Sequence, residues 1–585
     1  MGTFRRLKQF YWPYKKYFVM SVISLVLVTA LTVIYPLILE FTVDELLIGE
    51  RHDLLGATVA FLVVVMVLKG LFQYLQQYLG ELFGIHSVYE IRNELYRKLQ
   101  VLPFRFYDNA RTGDLMSRLA QDVEVFRFFL SMGAAQLLNF VLLTTFGFAV
   151  MLYLNVPLAL MTLAFMPFLA IVVYRFDRRV HPAFLEIRRS LARLTTKVQE
   201  NVSGMNTVKA LSKEDYEIGR FVDLNANYRD NHITTASIWA RFFPAMEFIG
   251  NVCVVVLLAY GGWLVVNGQM DPGELLAFFS LIWYIVMPLM HIGFVLNTFS
   301  QSKAAGERLL EIMDEREDIR NVENAVRQPR LSGHVQFEDV THRYPGEDQY
   351  ALQDVSFDAK PGSTIGIMGA TGAGKTSITQ LIARFYEPKQ GRVLVDGKPV
   401  SAYDLNTLRS NIGFVLQEPF LFSASIKSNI SYGRPGATMD EIIDAAKRAD
   451  AHEFIQELPD GYDTVLGERG GGLSGGQKQR VSIARALCVN PSILILDDAT
   501  SAVDMETEVK IQAAMREVME GRTTFIIAHR ISSVKHADEI LVLDQGKVIE
   551  RGTHEELVAL EQGAYRRIYD IQFQDHELVM QGKAV

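Results

Sequence analysis

The first half of the chain alternates long apolar stretches with polar, basic ones. Six stretches of about 20 predominantly apolar residues occur at 17–39, 54–78, 129–153, 157–174, 243–266 and 275–299. An apolar helix of about 20 residues crosses the hydrocarbon core of a bilayer, so the pattern predicts six transmembrane helices and an all-α membrane domain over residues 1–312. The fourth stretch is the shortest, and only Leu154-Asn155-Val156 separates it from the third. Two spans joined that tightly form a helical hairpin with its turn at one membrane face.

The polar stretches set the orientation. Between the second and third spans lie Arg92, Arg97, Lys98, Arg105, Arg111, Arg118 and Arg127. Between the fourth and fifth lie Arg178, Arg179, Arg188, Arg189, Arg193, Lys197, Lys209, Lys213 and Arg220, among others. The first connection offers only Arg51, and the third and fifth offer no basic residue. The positive-inside rule places both long connections and both termini in the cytosol of a multi-pass cell-membrane protein. Segments 88–102 and 184–199 mix charged and apolar residues and favour helix, so the membrane helices are expected to continue into the cytosol. Turn-forming clusters interrupt them at Asp108-Asn109-Ala110-Arg111-Thr112-Gly113 and Leu211-Ser212-Lys213-Glu214-Asp215. The first apolar stretch follows Arg5, Arg6, Lys8, Lys15 and Lys16 but has spanning length and no clear cleavage site, so it reads as a span rather than a signal peptide. Arg6 stands where a myristoylation motif at Gly2 requires Ser or Thr.

Beyond residue 312 the character changes. A polar, acidic linker covers 313–333, an α/β pattern fills 334–573, and a polar tail closes the chain at 574–585. The overall hydrophobic fraction of 49% averages these unlike halves. A net charge of −8, with no basic stripe carrying interleaved aromatics, gives no reason to expect a nucleic-acid partner. The two cysteines, Cys253 and Cys488, fall in different halves, which argues against a structural disulfide.

The chemistry lies in the second half. The apolar run Ile365-Gly366-Ile367-Met368 leads into Gly369-Ala370-Thr371-Gly372-Ala373-Gly374-Lys375-Thr376, with Ser377 opening a helical stretch. This strand–glycine loop–helix context is that of a P-loop. Its glycines let backbone N–H groups wrap phosphates, Lys375 reaches the terminal phosphates, and the Thr376 hydroxyl can ligate Mg²⁺. Ile493-Leu494-Ile495-Leu496-Asp497 reads as a strand buried on both faces, and it delivers Asp497 as a candidate Mg²⁺ partner. By themselves these elements mark a P-loop nucleotide and Mg²⁺ site without saying which nucleotide.

Between these elements stands Leu473-Ser474-Gly475-Gly476-Gln477. It resembles the LSGGQ signature of ABC ATPases, and the rest of that family's pattern surrounds it in order. The resemblance implies that the nucleotide is ATP, that Tyr344 stacks on adenine and that Gln417 touches Mg²⁺ and the attacking water. Ser474, Gly475, Gly476 and Gln477 contact nucleotide, Asp504 lies in the loop Ser501-Ala502-Val503-Asp504, and His529 contacts the γ-phosphate. Glu468-Arg469-Gly470 resembles a short motif that exporters place against coupling helices, which correspond here to the clusters near Asp108 and Lys213. Alone, Tyr344 beside Pro345 would be an ordinary turn aromatic and His529 a hydrogen-bonded histidine; their order around the two motifs makes them site candidates. Six spans ahead of one such domain resembles a multidrug-type exporter half. The partners implied are membrane lipids, an amphipathic small molecule and a second half-transporter. No peptidase-like segment precedes the first span, which argues against a leader-cleaving peptide exporter, and the spans exclude a soluble ABC protein of DNA repair or translation.

One residue departs from the pattern. The family places Glu directly after the strand-terminal Asp, to position the water that attacks the γ-phosphate, and this chain has Asp498. Loss of one methylene withdraws the carboxylate by about 1.5 Å. The chain thus resembles the weakly hydrolysing half of a heterodimer whose partner supplies the glutamate. The other reading that Asp498 supports is a regulatory or lipid-translocating membrane protein that binds ATP with little hydrolysis of its own.

Within the second span, Lys69, Gln73, Gln76 and Gln77 recur at helical spacing. A lysine near mid-membrane costs about 2.5–3.5 kcal/mol on insertion scales, so it should pair with a carboxylate inside the bundle or line a watery cavity. If it lines the cavity, Lys69→Met will change which compounds stimulate ATPase and leave expression and basal activity intact. Loss of folded protein will mark a structural ion pair instead.

Overall fold

The structure is a computed structural model that describes residues 2–498, 515 and 517–580. It divides into two compact units, Met1–Gln100 with Arg111–Glu315, and Val101–Ala110 with Arg316–Val585.

Among the described residues, six helical stretches are long and apolar enough to cross a membrane. The first unit begins with a short amphipathic helix α1 (Gly2–Tyr11) and continues through α2 (Lys15–Phe41) and α3 (Leu55–Val101). After the six-residue helix α4 (Phe104–Asn109), which belongs to the second unit, come α5 (Ala134–Leu154) and α6 (Val156–Ser203). The short α7 (Met205–Ala210), then α8 (Glu214–Val266) and α9 (Pro272–Asp314), complete the set.

These helices are much longer than the apolar stretches within them. α6 has 48 residues and α8 has 53; at 1.5 Å per residue each is roughly 70–80 Å long, more than twice the bilayer core. The expected limit of the fourth span at residue 174 marks a change of surface rather than an end: Arg175, Asp177 and Arg178 begin a polar extension of the same helix. α6 and α8 pack along one another, and the nearly buried pair Lys197–Glu217 ties them together. Nearby, Arg308 donates from Nε to Asp122 at 2.8 Å, and Arg118 pairs with Glu311 at 2.8 Å.

The breaks are local and sequence-coded. The hairpin between α5 and α6 turns on Asn155, whose side chain accepts from the Leu158 N–H at 3.2 Å, with Pro157 in the first turn. Asp271 and Glu274 form a reciprocal capping box at the start of α9, with Pro272 at its first position. The two turn clusters are compact breaks. α4 ends at the first, with extended backbone at Ala110 and Arg111. α7 ends at the second, where Ser212 takes φ 50° before α8 restarts.

Among the described residues the second unit holds ten strands: β1 (Val335–His342), β2 (Leu352–Ala359), β3 (Thr364–Gly369), β4 (Gln390–Val395), β5 (Lys398–Pro399), β6 (Ile412–Val415), β7 (Ile493–Asp497), β8 (Thr523–Ile527), β9 (Glu539–Asp544) and β10 (Lys547–Gly552). One sheet is antiparallel in the order β2-β1-β4-β5; the other runs β10-β9-β3-β8-β7-β6 and is parallel except at β10. Every residue of β7 and β8 is buried, as strands covered on both faces must be. Helix α10 (Lys375–Ile382) follows β3, α11 (Gly475–Cys488) precedes β7, and α12 (Ala564–Met580) comes last.

Two boundaries differ from the sequence reading. The polar linker is not a free tether: α9 runs to Asp314, Leu331 is buried, Val326 bridges Tyr403, and Asn321 donates to Asp404 at 2.9 Å. The tail expected from residue 574 is helical as far as Met580, and within α12 Gln572 accepts from the Ile531 N–H and donates to the His529 carbonyl.

The loop after β6, which carries Gln417, is held by one buried amide. Asn429 donates from Nδ2 to the carbonyls of Phe422, Ala424 and Ser425, and its Oδ1 accepts from the Phe422 N–H and from Arg485 of α11. Arg485 also donates to the Asn429 and Phe420 carbonyls. Asn429→Ala leaves this set unsatisfied and should cost on the order of 2 kcal/mol. In differential scanning calorimetry the transition of the second unit should fall by about 4–8 °C.

Candidate functional site

Chain direction converges several functional groups on one edge. β8 lies between β3 and β7 in a parallel sheet, and Ile527 is in register with both Ile367 and Asp497. The carboxyl end of β3 continues into the glycine loop, that of β7 presents Asp497 and Asp498, and that of β8 leads to His529. With strands about 4.8 Å apart, Asp497 lies roughly 10 Å across the sheet from the loop's base. Crevices at carboxyl strand ends are where open α/β sheets bind ligands.

The loop's shape requires its glycines. Gly374 takes φ 99° where it caps α10, and a Cβ there would lie 2.2 Å from the Ala351 carbonyl oxygen. Gly369 takes φ 149°, and its Cβ would lie 2.3 Å from the Leu543 carbonyl oxygen. The result is a run of backbone around the N-terminus of α10, the geometry that suits an anion. Lys375 is buried across this loop, donating from Nζ to the Gly369 and Ala370 carbonyls at 2.9 Å each. Thr376 is exposed beside it, while Ser377 is buried.

The electrostatics are those of a site built around charge. Burial lowers the Lys375 ammonium, and Asp497 and Asp498 push it back up. Burial raises the Asp497 carboxyl and the Asp498 charge raises it further, while Lys375 and His529 pull it down. Two adjacent buried carboxylates are the local excess that a divalent cation relieves. Among the described residues no cluster of three His, Cys, Asp or Glu side chains would hold a metal by itself. One or two carboxylates, a hydroxyl and substrate phosphates suit Mg²⁺, which retains water and rarely occupies an all-protein cage.

Tyr344, expected to face adenine, has its hydroxyl 2.8 Å from Ser377 Oγ and donates to Gln380 Oε1 at 2.6 Å, both on α10. Its ring meets His342 and Tyr386 edge to face. Gln417 and His529 are exposed at the same end of the unit's parallel sheet. Ser474 and Gln477 form a capping box on α11: the Ser474 N–H donates to Gln477 Oε1 at 2.9 Å, and the Gln477 N–H to Ser474 Oγ at 3.3 Å. That box leaves Ser474 and Gly475 exposed at the helix start. Asp504, with Ser501-Ala502-Val503, lies outside the described residues.

Three side chains belong to this neighbourhood that sequence reasoning did not single out. Asn429 and Arg485 hold the Gln417 loop, as described above. The third, Tyr386, sits just beyond α10, is buried, and donates its hydroxyl to Asp108 of α4 at 2.5 Å. Phe104 of α4 stacks on Phe385 with ring centroids 4.4 Å apart, and Arg105 pairs with Asp318 at 3.0 Å. Burial, then the Asp108 carboxylate, push the Tyr386 phenol well above its ordinary range. A tyrosine after a helix carries no sequence signal for such a contact; only the aromatic pair Phe385-Tyr386 hinted at a surface needing cover.

Comparison with known proteins matches residues 18–289 to the family described as "ABC transporter transmembrane region" and residues 352–501 to "ABC transporter". The chain is 59% identical over 580 residues to the uncharacterized ABC transporter ATP-binding protein YknU of Bacillus subtilis, covering 99% of each. It is 36% identical to the putative multidrug export ATP-binding/permease protein YgaD of the same organism, over 98% of this chain and 100% of that one. It is 33% identical to an ATP-dependent lipid A-core flippase of Syntrophus aciditrophicus, over 99% and 96%. A bacterial Atm1-family ABC exporter solved with ATP bound superposes with a TM-score of 0.77 at 29% identity, covering 95% of this chain and 98% of that one.

Two substitutions separate ligand binding from transmission. Lys375→Ala should weaken ATP binding by more than about tenfold, through loss of a charged phosphate contact. Tyr386→Phe keeps the ring packing but loses the Asp108 bond; it should leave ATP affinity within about twofold and lower turnover several-fold. Fluorescent-nucleotide titration and steady-state ATPase on the same preparations check both.

Proposed function

We propose, from the premise that this chain belongs to the ABC transporter family as an ATP-driven exporter half, that it is the weakly hydrolysing member of a heterodimer. Its ATPase activity serves transport across the membrane that its six apolar helices cross. The basic connections support a topology with both termini in the cytosol. The names of its relatives, multidrug exporters and a lipid flippase, support an amphipathic cargo.

In this reading the backbone of Gly369–Thr376 and the Lys375 ammonium hold the ATP phosphates, Ser377 assists, and Tyr344 stacks on adenine. Thr376, Gln417 and Asp497 would hold Mg²⁺, which supplies charge neutralisation on the phosphates when bound. His529 faces the γ-phosphate, and Asp498 orients the attacking water. Ser474, Gly475, Gly476 and Gln477 complete the partner's site, with Asp504 near the junction.

The observation that carries the heterodimer is Asp498. Its backbone is in the left-handed region at φ 42°, its N–H donates to the Ile527 carbonyl at 2.9 Å, and the residue is buried. A main chain pinned in that way does not slide forward to make up for a side chain shorter by about 1.5 Å. A water misplaced by such a distance reduces turnover ~10²-fold. A homodimer would carry that defect twice, whereas a partner with glutamate restores one competent site that uses this chain's signature.

Purified alone, the chain should hydrolyse ATP slowly, and Asp498→Glu should raise turnover without changing ATP affinity, because the carboxylate acts on water rather than on bound nucleotide. In the assembled pair, Ser474→Arg should abolish ATPase and Asp498→Asn should leave most of it. Brisk ATPase from the unmodified chain alone, or equal loss from both substitutions in the pair, overturns the asymmetric reading.

A further inference from the structure

Between α5 and α9 lies a cavity of about 540 Å³, within the range that holds drug-sized molecules. Trp283, Tyr284 and Met287 line it from α9, and Gln136, Asn139 and Phe140 from α5. We infer that this cavity is a cargo site for uncharged aromatic compounds that carry hydrogen-bond donors. The inference rests on the export reading above and narrows it to a substrate class.

The lining sets the chemistry. Among the described lining residues none is ionised at neutral pH, and the one ionisable group among them is the Tyr284 phenol. At membrane depth, an ion entering such a space loses its hydration with no counter-charge to replace it. Trp283, Tyr284 and Phe140 offer ring faces for offset or edge contacts with an aromatic guest, and Met287 adapts to its outline. Lys69 is not among the lining residues.

The polar groups make the site more than an apolar hollow. Gln136 Oε1 is buried with no hydrogen-bond partner. Leaving such an acceptor unmatched costs about 1–3 kcal/mol, and a guest's O–H or N–H removes that cost. Neighbouring Asn139 is engaged differently, accepting from Thr29 of α2 at 3.4 Å. On the opposite wall, Pro288 lines the cavity within α9 and has no N–H to give to the Tyr284 carbonyl one turn back. The Gln136 wall therefore carries an acceptor without a donor, and aromatic surface surrounds it. A site built to receive a donor discriminates strongly against the analogue that lacks it.

The test measures equilibrium binding by tryptophan quenching on the full chain in neutral-lipid nanodiscs without nucleotide. The probes are dihydroxystilbene, its dimethyl ether, and the tetraphenylphosphonium cation. The diphenol should bind about tenfold more tightly than the ether, and the cation more weakly than either. Gln136→Leu should erase the diphenol's advantage while leaving ether binding unchanged, and Phe140→Ala should weaken both stilbenes together. Equal affinity for diphenol and ether on the parent protein overturns the inference, even if Gln136→Leu fails to fold. So does tighter binding of the cation, or an undiminished diphenol preference in folded Gln136→Leu. Binding is read on this chain without ATP and export on the assembled pair, so a diphenol preference here with no pumping by the pair supports the cavity and counts against export alone. No stilbene binding here, with normal ATPase in the assembled pair, overturns the cavity and leaves export standing.

Discussion

Backbone polar groups inside a bilayer have no water to bond to, so a spanning segment must satisfy them within itself. That requirement explains the continuity of the long helices, 47 residues in α3 and 53 in α8. Prolines at 36, 167, 182, 244 and 288 lie inside these helices and do not end them. Breaks fall instead in polar sequence, among them Asn155, Ala110–Arg111, Leu211–Lys213 and the connections at 49–51 and 267–271, where exposed carbonyls and amides cost little. Membrane physics thus confines irregular backbone to the places where the chain can act on something else.

The second unit faces a different demand, because it gathers charged groups at one buried edge. Lys375 is buried and bonded to loop carbonyls, and Asp497 and Asp498 share one buried strand end. Burial disfavours the charged forms of Lys375 and Asp497, and the carboxyl ends of β3 and β7, on either side of β8, bring the three together. A polyphosphate with its cation matches this set of charges better than any rearrangement of the protein would. The strain is held in place by two buried cores that cover both faces of the parallel sheet.

The two demands meet in residues 101–110. That decapeptide is separated in sequence from the second unit by some 200 residues, yet it packs with it through the Phe104–Phe385 stack and the Tyr386–Asp108 bond. Tyr386 in turn touches the ring of Tyr344, whose hydroxyl rests on Ser377 and Gln380 of the helix that follows the glycine loop. A short chain of packed rings therefore joins the nucleotide side of the unit to α4. Rigid aromatic contacts transmit small displacements well because packed interiors deform little.

Periodicity and local chemistry by themselves determined much of this protein. Long apolar runs are legible because a helix in lipid has no alternative, and glycines at 369, 372 and 374 are legible because no other residue fits the loop's dihedrals. The strand ending at Asp497 was readable from five successive buried positions. Helix ends within the polar extensions were not, since charged residues continue a helix as readily as apolar ones and solvent faces carry no stop signal. The docking of the linker through Val326, Asn321 and Leu331 was equally hidden, because a polar segment reads the same whether it is free or hydrogen-bonded. Tertiary structure alone decided which distant groups meet: Asn429 with Arg485, Tyr386 with Asp108, and Gln136 with an aromatic cavity. Those contacts depend on packing across large sequence separations, and no local pattern records a neighbour that the chain reaches only after it has folded.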